Sequence, residues 1–199
     1  PHPKNSTPFF PAFEVTDFIA QGGMGAVFRA TQISLDRPMA IKILPYEMGL
    51  DPEFSSTFET EAKAMAMLNH PNLVKVFDFG NIEGMLYIVM ELAPGRSLYD
   101  LVHGKSVEMS EASRLISDMC RGLEHAHDAG LIHRDIKPAN VLIDDSAHPK
   151  IVDFGLARPL SNTHDGGTIY GTKGYTAPEV LTDPNNIDQR ADIFSVGAM

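Results

Sequence analysis

Three residues within one short stretch carry the chemistry that organises this sequence: Asp135, Asn140 and Asp153. Val141-Leu142-Ile143 and Lys150-Ile151-Val152 read as the arms of a β-hairpin around the turn Asp144-Asp145-Ser146. Such a hairpin brings the two acids and the amide to one end of a rigid support. An acid, an amide and a second acid there suit the holding of metal-bound phosphates and the orientation of a hydroxyl. Each residue alone has a plainer reading, because Asp and Asn commonly decorate turns. The ordered run His133-Arg134-Asp135-Ile136-Lys137-Pro138-Ala139-Asn140, then Asp153-Phe154-Gly155, is much harder to reach by accident.

The elements that must position these groups divide at Ala93-Pro94-Gly95. Upstream, Phe13 to Ala20, Ala26 to Gln32, Met39 to Leu44, Leu73 to Phe79 and Met85 to Leu92 read as strands. Gln21-Gly22-Gly23-Met24-Gly25 joins the first two, and its glycines let backbone N–H groups approach phosphate oxygens. A glycine-rich turn by itself is more often only a hairpin. Alternation puts Ala40, Lys42 and Leu44 on one strand face, where a lysine is costly unless its ammonium finds an anion. Asp51-Pro52-Glu53 is a helix start, and the helix runs to about Asn69 with Phe58, Met65 and Leu68 available to pack. Glu61 shares the Met65 stripe and is the acid best placed for Lys42; the plainer reading is a rim glutamate beside Lys63. His70-Pro71-Asn72 ends the helix.

Downstream the chain turns helical. Ser97 to His103 can make a short helix, and Ser110 to Ala129 a long one, capped by Ser110 and stopped by Gly130. Leu115, Met119, Leu123 and Ala126 form its stripe. Cys120 reads as core, and His125 and His127 as surface and packing residues rather than metal ligands. Arg158 to Tyr175 is loop-like and holds Thr163, Thr168 and Thr172 before Ala177-Pro178-Glu179. The expected organisation is α+β: a flexible tail over 1–12, a five-stranded lobe with one helix over 13–92, and a mainly helical lobe over 93–199.

Composition is ordinary for a globular protein, with 43% hydrophobic and 21% charged residues. A net charge of −10 argues against a general nucleic-acid binder. One cysteine cannot staple the fold, which points to a reducing compartment. No apolar run approaches the ~18 residues of a membrane span.

The motifs, in this order, resemble those of the eukaryotic-type serine/threonine protein kinases, with wording similar to the bacterial members. The resemblance covers roughly residues 13 to 199 and implies a bilobal kinase fold. It implies ATP and Mg²⁺ (or Mn²⁺) as cofactors, with Asn140 and Asp153 on the metal. Asp135 would be the catalytic acceptor of the hydroxyl proton, Lys137 would support the transferred phosphoryl, and Thr172 would link to both. Lys42, held by Glu61, would steady the α and β phosphates. Gly22, Gly23, Met24 and Gly25 would cover them, although Ala20 replaces the first glycine of the family's loop. Val27, Ala40 and Leu142 would sandwich adenine, with Met90 as gatekeeper and the backbone of Glu91 and Ala93 at its edge. Lys137 two residues after Asp135, and a Gly-Thr pair at Thr172, are the serine/threonine form.

The resemblance further implies protein substrates with Ser/Thr acceptors, self-association for autophosphorylation, and activation by phosphate at Thr168, with Thr163 second. It implies a cytoplasmic domain with no membrane segment of its own, in a parent chain that could be anchored. Family members continue beyond the helix that begins at Asp192, so the sequence reads as a C-terminally truncated catalytic domain. Two alternatives stay open at this point: an ATP-binding pseudokinase acting as a scaffold, and an inactive fragment.

Overall fold

Five antiparallel strands lie in the order β1-β2-β3-β5-β4. They are β1 (Phe13–Gly22), β2 (Gly25–Gln32), β3 (Arg37–Ile43), β4 (Val76–Ile82) and β5 (Met85–Glu91). The computed structural model describes residues 9–22, 25–154, 172, 174–183 and 186–199. The chain divides into two units, Pro1–Met67 with Lys75–Leu92, and Leu68–Val74 with Ala93–Met199.

In the first unit a short helix α1 (Tyr46–Gly49) precedes α2 (Pro52–Met67). Asp51 Oδ1 accepts the backbone N–H of Glu53 at 2.9 Å and of Phe54 at 3.3 Å, and Pro52 occupies the first turn. That is the cap the sequence implies, and it satisfies amides that the helix ladder cannot. Phe54, Phe58, Ala62 and Met65 are buried along one stripe. Phe58 meets Phe79 of β4 edge-on, with ring centroids 6.2 Å apart. Each such ring removed from water contributes about 1.5–3 kcal/mol.

Strand register sorts the sheet's two faces. Lys42 pairs with Ile88, and Phe79 pairs with Ile88, so the lysine shares the face that meets α2. The other face collects Phe10, Phe13, Ala30, Met39, Ile41 and Val89 in a second core. Phe10, within the stretch read as a flexible tail, is 5% exposed and packs edge-on against Tyr87.

In the second unit a small sheet runs β6-β7-β8: β6 (Arg96–Ser97), β7 (Val141–Ile143) and β8 (Pro149–Ile151). The second hairpin arm thus starts at Pro149, one residue earlier than expected, and Val152 lies outside it. The expected strand at Leu73 begins instead at Val76. Leu73 and Val74 belong to the second unit because their backbone pairs there. Val74 N–H donates to Ile151 O at 2.9 Å, Ile151 N–H to Asn72 O at 2.8 Å, and Asn72 Nδ2 to Pro149 O at 2.7 Å.

The helices of this unit are α3 (Leu98–Val102), α4 (Met109–Asp128), α5 (Pro178–Thr182) and α6 (Arg190–Gly197), with a 3-10 turn over Pro138–Asn140. Ser97 caps α3, accepting Asp100 N–H at 3.1 Å. The cap expected at Ser110 is corrected: α4 starts at Met109, with Glu108 at the capping position and no side-chain bond. Leu115, Met119, Leu123 and Ala126 are its buried stripe, joined by Gly122, over which Leu73 and Asn72 lie close. The helix closes with Gly130 N–H on His127 O at 2.9 Å and Leu131 N–H on Ala126 O at 3.0 Å. Gly130, at φ +78°, supplies the left-handed turn this ending requires.

Candidate active site

The loop after α4 is held from beneath by one buried acid. Asp192 of α6 accepts the backbone N–H of His133 and of Arg134, each at 2.8 Å, and pairs with His127 Nε2 at 2.8 Å. Burial alone would raise the Asp192 pKa. The His127 hydrogen bond and the two amides outweigh it, so the carboxyl sits below its usual range.

His133 is wholly buried. Its Nδ1 accepts the Asp135 N–H at 3.2 Å, which leaves Nε2 to donate to Val152 O at 3.0 Å. Those two partners specify the neutral ring with the proton on Nε2. Burial pushes the His133 pKa down, against the pull of Asp192. Its ring packs on Phe154, with centroids 4.7 Å apart. These contacts tie the loop bearing Asp135 to the segment bearing Asp153. Arg134 and Asp153 both take φ +66°, a left-handed conformation uncommon for residues other than glycine and often found at functional sites.

Asp135 is the hub of the site. Its Oδ2 accepts from Lys137 Nζ at 2.9 Å and from Asn140 Nδ2 at 3.1 Å. Lys137 Nζ also reaches Thr172 Oγ1 at 3.0 Å, and Thr172 Oγ1 lies 3.4 Å from Asp135 Oδ1. Asn140 Nδ2 donates in addition to Asp135 O at 2.8 Å. The backbone carbonyl of Asn140 takes the Val152 N–H at 2.9 Å, so Asn140 is held through both its side-chain nitrogen and its main chain. Four residues expected to act together are thus brought together.

The donor set fits a hard divalent cation. With its nitrogen committed, Asn140 can offer a metal only its side-chain oxygen, and half-buried Asp153 offers a carboxylate. Two oxygen donors suit an ion that keeps water and phosphate oxygens in its shell. Among the described residues no group of three or more His, Cys, Asp or Glu forms a metal site by itself.

The first unit holds most of the remaining candidates. Lys42 and Ala40 are each 5% exposed on β3, and Glu61 is half-buried on α2. Neither Lys42 nor Glu61 is without a partner. Val27 is half-buried and pairs in register with Lys42. Met90 is buried on β5, and the neighbouring Glu91 N–H is committed to Lys75 O at 2.8 Å. Gly25 has φ +119°, and a β-carbon there would collide with the carbonyl oxygen of Ile43. Gly22 has open space around it.

Ala93 and Leu142 lie half-buried in the second unit. Gly23, Met24, Thr163 and Thr168 lie outside the described residues. Sequence reasoning missed Asp192 as a clamp. Its separation of 59 residues from His133 leaves only an acid at the head of an apolar run as a signal.

A two-unit α+β fold with this loop defines a protein kinase domain. The chain belongs to that family, whose protein kinase domain model matches residues 13–199. It is similar to the serine/threonine-protein kinase pkn3 of Myxococcus xanthus, at 36% identity over 94% of this chain and 36% of the relative. It is similar to serine/threonine-protein kinase PknB of Mycobacterium tuberculosis, at 37% identity over 94% of this chain and 31% of the relative. Among solved structures it resembles the Mycobacterium tuberculosis PknI kinase domain, with a TM-score of 0.76 and 27% identity over 93% of this chain and 71% of that one. The chain spans about a third of the length of these curated relatives. Among the described residues no helix is long and apolar enough to cross a membrane.

Proposed function

We propose that this chain transfers the γ-phosphoryl group of ATP to Ser and Thr hydroxyls of protein substrates. The observation that carries the reading is the arrangement around Asp135, with Lys137, Asn140 and Thr172 each within hydrogen-bond distance of it. A carboxylate fixed by an ammonium and an amide can orient an incoming hydroxyl and take its proton at Oδ1 or Oδ2. The Lys137 ammonium would lie beside the phosphoryl group as its charge shifts. Thr172 Oγ1 accepts from that ammonium and helps fix it.

Asn140 and Asp153 would hold Mg²⁺ or Mn²⁺, which when bound neutralises phosphate charge. Lys42, steadied by Glu61, would anchor the α and β phosphates under the backbone of Gly22, Gly23, Met24 and Gly25. Val27, Ala40 and Leu142 would flank adenine, with Met90 behind it and the backbone of Glu91 and Ala93 along its edge. Ala93 is the lobe boundary in this reading, and the expected site is cytoplasmic. Thr168, then Thr163, would carry an activating phosphate taken by Arg134, made by self-association of two copies.

Radiolabelled ATP and a generic basic protein test the reading. Asp135→Asn should lower transfer on the order of a thousandfold, and Lys42→Met and Asp153→Asn similarly. Full transfer by Asp135→Asn would sink the assignment. Peptide mapping after incubation with Mg-ATP tests the phosphosites: phosphate only outside residues 161–172 would exclude both.

A further inference from the structure

Helix α6 buries two polar residues and exposes its two largest apolar ones. Asp192 and Ser195 are buried three residues apart, on one face, while Ile193 and Phe194 are exposed. A buried hydroxyl is costly without a partner. Ser195 Oγ lies 2.7 Å from the carbonyl oxygen of Tyr175 and 2.9 Å from that of Ala191. The Ala191 carbonyl already serves the helix ladder, so the single hydroxyl proton is best used on Tyr175.

Tyr175 in turn donates its N–H to Thr172 O at 3.0 Å, and Thr176 Oγ1 donates to the same oxygen at 3.2 Å. Thr172 then closes the triangle with Lys137 and Asp135. One face of one helix therefore fixes two things. Asp192 fixes the loop bearing Asp135, and Ser195 fixes the backbone bearing Thr172.

We propose that Ser195 is a positioning residue for phosphotransfer: its bond to the Tyr175 carbonyl sets where Thr172 meets Lys137 and Asp135. Its effect on rate rests on the kinase reading above; the tether itself does not. Ser195→Ala removes one oxygen and little volume, so the fold should persist.

Two measurements on the whole chain test it. In hydrogen exchange, Ser195→Ala should speed exchange of the Tyr175 amide about tenfold, the size of one neutral hydrogen bond. The amides of His133 and Arg134, held by Asp192, should stay unchanged. In phosphotransfer to a threonine peptide, Ser195→Ala should lower kcat about tenfold at unchanged KM for ATP. It should cost nothing further in a Thr172→Ala background, because it acts through Thr172.

An unchanged Tyr175 exchange rate, equal acceleration at His133 and Arg134, or losses that add with Thr172→Ala would each overturn the inference. A parent chain that transfers no phosphoryl would defeat the kinase reading instead, and the exchange rates would still decide the tether.

Discussion

The carboxylate of Asp192 accepts the backbone N–H of His133 at 2.8 Å across 59 residues of sequence. Its other oxygen takes the next amide, that of Arg134. Two consecutive N–H groups that would otherwise be buried without acceptors are thereby satisfied, and the loop bearing Asp135 is fixed by its own backbone.

Asp192→Ala should therefore destabilise the second unit strongly. Each stranded buried amide costs about 1–3 kcal/mol. Urea unfolding of the variant should show a much lower midpoint. A midpoint equal to the parent's would mean that other acceptors replace the carboxylate.

Acid should weaken the fold in two windows. Burial depresses the His133 pKa, so the folded state binds that proton less readily than the unfolded chain. The stabilisation is complete above the unfolded value of about 6.5 and is lost as pH falls from there towards the folded value. His70, lowered by burial and by His125 and Arg121, adds a component of the same sign. Asp192, also depressed, gives its stabilisation up only below about 3.9. Urea midpoints should fall between pH 7.5 and 5, and His133→Phe should flatten that slope. An unaltered slope in the variant would assign the dependence elsewhere.

The two described glycines of the β1–β2 turn should behave differently. Gly25→Ala forces a β-carbon into the Ile43 carbonyl at φ +119° and should cost more than about 1 kcal/mol. Gly22→Ala meets open space and should melt with the parent. Any loss of nucleotide affinity in Gly22→Ala would then report on the loop's approach to phosphate rather than on folding. Equal melting of the two variants would contradict this account.

Phe10→Ala should cost about 3–5 kcal/mol, the usual range for a core phenylalanine. The ring is 5% exposed and sits on Tyr87 over the face of the sheet that α2 does not cover. Thermal melting would check it. A loss below about 1 kcal/mol would return Phe10 to the tail.

Phe10 also marks where sequence reasoning stops. The local pattern Pro8-Phe9-Phe10-Pro11 looks like loop, and only the partner face on Met39, Ile41 and Val89 gives its ring a place. The cluster around Asp135 was legible because its residues lie close together in sequence. Asp135, Lys137 and Asn140 span six positions, and their mutual distances follow from one turn. Asp192 and Ser195 were not legible as supports of this loop, since the His133 and Arg134 amides and the Tyr175 carbonyl that they hold are backbone atoms, which no side-chain pattern encodes. The strand expected from Leu73 starts three residues later, at Val76, for a related reason. Its apolar alternation is real, but Val74 spends its amide on Ile151 rather than on β5. At Ser110 the residue type was right for a cap, and the helix simply starts earlier, at Met109.

The assignment of Leu68–Val74 to the second unit bears on how this protein can be recombined. The backbone changes unit three times: after Met67, after Val74 and after Leu92. A chimera joined at a single junction near Ala93 would import Leu68–Val74 with its donor's strands and set it beside a foreign β8. The acceptors of Asn72 Nδ2 and the Val74 amide would then come from the other parent. A clean exchange of parts needs all three junctions, with the seven-residue segment travelling with the helical half.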